Sequence, residues 1–165
     1  MSDASSTTPA RARLASLVDA LDRAFDGPSW HGPSLGDALD GLTEEEAGWR
    51  PAPGAHNAWE FVVHADYWTD RVLQHVAVDP PPRFAEPGSN FFTRPAGGAL
   101  LGDDIRRLRD RHAALRQAAA ALAPRQLDGH AYDAYTIADV LAGVAAHHLY
   151  HAGQIRLLRR LYELA

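Results

Sequence analysis

Residues 136–165 read "TIADVLAGVAAHHLYHAGQIRLLRRLYELA", and this stretch decides the fold class. Thr136 and Asp139 stand three apart at its start, the spacing of a reciprocal helix cap. Alanine, leucine and arginine dominate the residues after this cap, so a helix is expected from Ile137 to the C-terminus, ~40 Å long at ~1.5 Å per residue. Alternating steps of three and four trace one seam: Ile137, Val140, Val144, His147, His151, Gln154, Leu158 and Leu161. Two imidazoles and the amide of Gln154 in a seam that is otherwise apolar demand an explanation. Each buried neutral ring carries a donor and an acceptor, and leaving one unpaired costs ~1–3 kcal/mol. His148 lies one position off the seam and reads as a flank or surface residue.

The rest of the chain repeats the helical pattern. Residues 1–8 are small and polar and read as a disordered tail, with Thr8 and Pro9 suited to a helix cap and first position. A single domain over 9–165 is expected, because 165 residues at 46% hydrophobic composition suffice for one core. Leu14, Leu17, Val18, Leu21 and Phe25 form the stripe of a first helix that Gly27 and Pro28 stop. From Ser29 to Asn57 the chain is irregular apart from one helical turn at "LTEEEAGW", where Thr43 and Glu46 form a capping pair. Asn57 and Glu60 repeat that logic before "AWEFVVHADYWTDRVLQHVA", the second helix, with the stripe Phe61, His64, Trp68, Val72 and Val76. After a loop, residues 100–123 read as a third helix; no strand pair is expected. The fold class is therefore all-α, a four-helix bundle with a long connection between helices 1 and 2.

Composition removes several functions. The formal charge is −5 with dispersed basic residues, which argues against nucleic acid as a partner. There are no cysteines, so thiolate metal sites, iron–sulfur clusters and cysteine nucleophiles are excluded. The start "MSDASSTTPARARL" lacks the order of a secretion signal and no apolar run reaches ~18 residues, so no membrane association and a cytoplasmic location are expected.

Residues four apart on a helix point the same way, so His147 and His151 can place nitrogens on one ion. His64, on the apolar stripe of another helix, supplies a third ligand. A divalent metal bound by His64, His147 and His151 is the resulting site hypothesis, with binding expected to weaken below the ordinary imidazole pKa of ~6.5. His31, His56, His75, His112 and His130 lie in loops or off the stripes and read as solvated. No general base can be nominated: Glu60 is equally a capping carboxylate, and Asp66 and Asp139 read as surface or cap residues. Trp30, Trp49, Trp59, Tyr67 and the loop Asn90–Phe92 fit either an interface or a pocket mouth. Specificity is expected from the Ser29–His56 connection and the Phe84–Gly98 loop.

The patterns "HHLYHAGQIRLLRRL", "WEFVVHADYW" and "SWHGPSLGDALDGLTEEEAGWRPAPGAHN" together resemble the DinB-like superfamily, which includes YfiT-type proteins described as metal-dependent hydrolases and bacterial thiol-dependent S-transferases. The resemblance implies a four-helix bundle whose zinc or nickel is held by one histidine of the second helix, matching His64, and two of the last, matching His147 and His151. Gly153 and Gln154 match its GQ pair. It further implies transfer of a low-molecular-weight thiol to a small electrophile, by an S-transferase or a thiol-dependent isomerase. Hydrolysis by metal-bound hydroxide is the alternative, and a non-catalytic, stress-associated metal-binding dimer is the other class. A homodimer with a small-molecule substrate is expected.

Overall fold

The computed structural model describes residues 7–30, 32–79, 81–85 and 87–165. Four long helices dominate: α1 (Thr7–Phe25), α4 (Ala58–Ala77), α5 (Leu101–Ala120) and α6 (Ile137–Tyr162). Two short helices, α2 (Leu35–Leu39) and α3 (Glu44–Gly48), occupy the connection between α1 and α4. A 3₁₀ turn (Pro124–Asp128) and a hairpin of β1 (His130–Tyr132) and β2 (Tyr135–Thr136) lead into α6. α4 packs on α5 and α6, and α1 packs on the same two helices, so α1 and α4 face each other diagonally across the bundle.

The expected all-α four-helix bundle is present, with its long connection between the first two long helices. Two elements depart from expectation. α2 forms because Ser34 and Asp37 close a capping box, and it buries Leu35, Ala38 and Leu39. The hairpin pairs His130 with Thr136 and Tyr132 with Tyr135 across a turn in which Asp133 takes a positive φ of 48°. Its turn lacks the Asn-Gly or Asp-Gly pair that usually signals such a connection. Of the expected tail, residues 1–6 lie outside the described residues, while Thr7 and Thr8 belong to α1.

Side-chain caps set the helix starts. Asn57 accepts from the Glu60 amide and Thr43 from the Glu46 amide. Neither glutamate returns the bond to its cap: Glu46 accepts from Arg159 of α6 at 2.8 Å, and Glu60 turns into the protein. The α5 start has no side-chain cap of its own, and its Leu101 amide donates to Glu44 of α3 at 3.1 Å. The short helices thereby fasten the ends of the long ones.

The core forms two apolar clusters along the bundle. One end gathers Phe25, Leu35, Trp59, Val62, Leu108 and Ile155, and the other gathers Leu21, Val72, Leu115, Leu127, Leu141 and Val144. The buried face of α6 includes Ile137, Val140, Val144 and His151 of the expected seam and widens on one side to Leu141, Ala145, His148, Ala152 and Ile155. The α4–α5 interface also carries a buried ionic layer. Asp66 accepts from Arg107 at 2.8 Å and Arg111 at 2.7 Å, and Asp104 accepts from Trp59 at 2.7 Å and Arg94 at 3.0 Å. Asp66, expected at the surface, is buried because these two guanidinium groups replace its water. No helix among the described residues is long and apolar enough to cross a membrane.

Leu141 is fully buried between the elements that carry the hairpin and α6. Leu141→Ala should lower unfolding stability by about 2–5 kcal/mol, measured from urea denaturation, through lost transfer energy and the cavity left behind.

Candidate metal centre

The α4 and α6 helices bring three imidazoles together at their shared face. His64 Nε2 lies 3.1 Å from His147 Nε2, and His151 Nε2 lies 2.9 Å from the same atom. An ion bound tetrahedrally at 2.0–2.1 Å would require nitrogens about 3.3 Å apart. The two spacings to His147 sit within a few tenths of that value, and the three ligand atoms all lie within 4.8 Å of one another. Among the described residues this is the one cluster of histidines and carboxylates arranged to hold a metal ion.

The other ring nitrogens decide which face is free to ligate. His64 Nδ1 donates to the Asn90 carbonyl at 3.2 Å, and His151 Nδ1 donates to the Gln154 amide oxygen at 2.6 Å. A ring that carries its proton on Nδ1 presents a lone pair at Nε2. Two lone pairs therefore aim at His147 Nε2, which can donate to only one of them. His147 Nδ1 is buried with no partner among the described residues. A divalent cation at the centre accepts all three lone pairs, so the donor set fits such an ion.

Burial keeps the rings neutral. It lowers His147 to about 3, with further help from the neighbouring His151 and His64. It lowers His151 to about 4 against the opposing Gln154 hydrogen bond, and it lowers His64 as well. Unprotonated imidazole is the ligating form, so the site stays competent well below the ordinary value of ~6.5. The expectation that protons begin to compete at ~6.5 is therefore corrected downward.

Aromatic rings enclose the trio. Phe91 stacks on His64 at 3.9 Å and on His56 at 4.0 Å, while Phe61 lies 5.1 Å from His151. The loop bearing Phe91 is pinned by Glu60, which accepts from Arg50 Nη1 at 3.0 Å, pairs with His56 Nδ1 at 2.8 Å and accepts from the Arg94 amide at 3.3 Å. Burial pushes the Glu60 carboxyl up, but these hydrogen bonds outweigh it and hold the group at about 2. So Glu60 is a structural anion and a poor base. On the other side, His147 forms part of the wall of a cavity of about 330 Å³. Trp68 and Val72 of α4, Val140, Gly143 and Val144 of α6, Phe84, and the hairpin tyrosines Tyr132 and Tyr135 line it.

His64, His147 and His151 are thus the residues that the fold assembles. His148 is not a surface residue: it is fully buried, with Nε2 2.9 Å from Thr69 Oγ1, because the α6 core face is centred on it. His75 and His112 are buried rather than solvated, His112 by stacking on Phe25 at 4.0 Å. His56 and His130 are exposed as expected, and His31 lies outside the described residues. Asp139 caps α6. Trp59 is a core residue bonded to Asp104, Trp49 packs on Tyr162 at 5.9 Å, and Trp30 is exposed. Of the aromatic candidates, Phe91 alone covers the trio. The described part of the Ser29–His56 connection contributes nothing to the cavity lining; Phe84 does, together with the unforeseen hairpin. Two tyrosines three apart in "HAYDAYT" are the available signal.

Neutral burial has a consequence for stability. In the unfolded chain these imidazoles titrate near ~6.5, so between that pH and their lowered folded values the unfolded state binds more protons. Metal-free protein should lose stability progressively as pH falls from about 6.5 towards 4, and gain nothing from these groups above pH 7. Urea midpoints in chelator across pH 4–8 measure this; a midpoint unchanged between pH 7 and 5 would show that the rings are not held neutral.

A model of the DinB superfamily matches residues 30–155, a span that includes all three imidazoles. No curated protein matches the sequence. With well over half of its length matched, the chain belongs to the DinB superfamily.

Proposed function

We propose that this protein is a metal-dependent enzyme that transfers a low-molecular-weight thiol to a small electrophile, with zinc or nickel held by His64, His147 and His151. The observation that carries the reading is the convergence of three Nε2 atoms from two helices with no donor to satisfy them all. Three neutral nitrogens leave a coordination position for an exogenous ligand, which distinguishes catalytic from closed structural sites. A bound divalent ion supplies charge that holds an incoming thiol as thiolate.

The chain's own residues orient and exclude. Gln154 and the Asn90 carbonyl fix the tautomers of His151 and His64. Phe91 and Phe61 keep water from the covered side of the trio. Hydrolysis is less well supported, because it needs a base to take a proton from water. Glu60 is held as an ion pair and Asp139, the one carboxylate lining the cavity, accepts from the Thr136 amide and hydroxyl. A thiol is a far stronger acid than water and would release its proton to solvent more readily on such an ion, which favours transfer.

Purified protein should carry about one divalent metal per chain by elemental mass spectrometry. His64→Ala, His147→Ala and His151→Ala should each deplete it, whereas His148→Ala should keep its metal and lose thermal stability. Gln154→Ala should weaken metal affinity roughly 10–100-fold, as expected for removing an orienting partner. Full metal content in any of the three ligand variants removes that residue from the set.

Activity has its own assay. Metal-loaded protein incubated with a panel of small thiols and electrophiles should yield thioether adducts by mass spectrometry, abolished by chelator. Adduct formation with no thiol, alongside intact metal loading, would count against transfer and favour a non-catalytic metal protein.

A further inference from the structure

The cavity beside the trio has a chemistry that points to one class of ligand. Its rings form a continuous wall: Tyr135 lies parallel to Tyr132 at 6.3 Å, Tyr132 stacks on Phe84 at 4.7 Å, and Phe84 leans on Trp68 at 5.9 Å. Trp68 then meets His147 edge-on at 6.4 Å. His75 braces Phe84 from behind, edge to face at 4.8 Å. The wall runs from the hairpin to the imidazole.

The opposite side belongs to α6. Gly143 stands there with nothing among the described residues within 4 Å of where a Cβ would be. Asp139, the lining's one carboxylate, is tied into the helix cap through the Thr136 amide and hydroxyl. A polar or charged molecule entering this space would give up hydration for almost no hydrogen bonds. A flat apolar molecule would find ring faces to stack on. A cation could use those faces too, but an ion at the trio would repel it.

We propose that this cavity binds a neutral aromatic electrophile of roughly a dozen non-hydrogen atoms, the number that about 330 Å³ holds at ordinary packing, and that Gly143 keeps it open. The proposal rests on the reading of the trio as a site of thiol transfer and names that reaction's second substrate. In the transfer the thiol sulfur bonds to an aryl or benzylic carbon. A halide leaves with the electron pair of the broken bond, and the thiol proton passes to solvent.

The test uses 2-naphthalenemethanol, which is neutral and unreactive, titrated into the full-length metal-loaded protein by calorimetry. Saturable binding is expected, kept within a few-fold after chelation. Gly143→Leu should fill the space and weaken binding roughly tenfold or more with metal content unchanged. Phe84→Ala, which leaves α6 untouched, should weaken it as well and decides the matter if the leucine variant fails to fold. No binding, or binding that neither variant alters, overturns the proposal, as does tighter binding of benzyltrimethylammonium than of the neutral probe. Thiol transfer to chloroacetamide without naphthalene binding overturns the cavity assignment alone. Naphthalene binding without thiol transfer to any electrophile supports the cavity and overturns the reading it rests on.

Discussion

Three nitrogen lone pairs directed at one point are the constraint on which the rest of this structure depends. Two come from one helix, since His147 and His151 are one turn apart on α6, so only the third has to be delivered across an interface. Delivering it requires α4 to lie beside α6 in a fixed rotation about its own axis. Asn57 sets where α4 begins, and thus the phase of every side chain after it. The same Asn57 donates to the Arg94 carbonyl at 2.7 Å, and Glu60 on the next turn receives the Arg94 amide. One helix start therefore positions both His64 and the loop whose Asn90 and Phe91 hold it.

The helical layout and the ligand trio are legible in the sequence because each rests on a short-range rule. Caps such as Thr136 with Asp139 are read over four residues, and the histidine pair over five. The rotation of α6 is less so. Steps of three and four can be threaded through Val140, Val144 and His147 or through Leu141, Ala145 and His148, and both satisfy the pattern. Both threads carry buried residues, because α6 packs on α1 as well as on α4 and so presents a face wider than one seam, which no local rule encodes. Hence His148 reads as a flank residue in the sequence although it is the centre of the buried face. The burial of His112, Asp66 and Glu60 is hidden for a related reason: a polar residue is buried when a distant partner or ring receives it, and Arg107, Arg111, Phe25 and Arg50 are distant in sequence. The cavity is hidden more deeply, because its aromatic wall is assembled from α4, a loop and a hairpin separated by dozens of residues.

The two sides of α4 show how polar chemistry is divided within the bundle. Towards α5 lie Asp66 and Asp70 with their arginines; towards α6 lie His64 and Trp68. Among the described residues no carboxylate pairs with His64, His147 or His151. That separation matters because an acidic neighbour would favour protonated imidazole and close the site to a cation. Keeping the anions on the far side of the helix leaves burial as the largest influence on the three rings, and burial favours the neutral form.

Neutral ligands also determine what completes the site. A divalent ion bound by three uncharged nitrogens keeps its whole charge in surroundings made mostly of aromatic and aliphatic side chains, where uncompensated charge is poorly tolerated. A site with carboxylate ligands would arrive already neutralised and have less need of an anion. An anionic ligand from outside, such as the thiolate of the proposed reaction, would supply that offset. The aromatic cavity is complementary in character, since it offers little to any charged species. A candidate cation centre and an apolar cavity thus adjoin, with His147 as the side chain common to both.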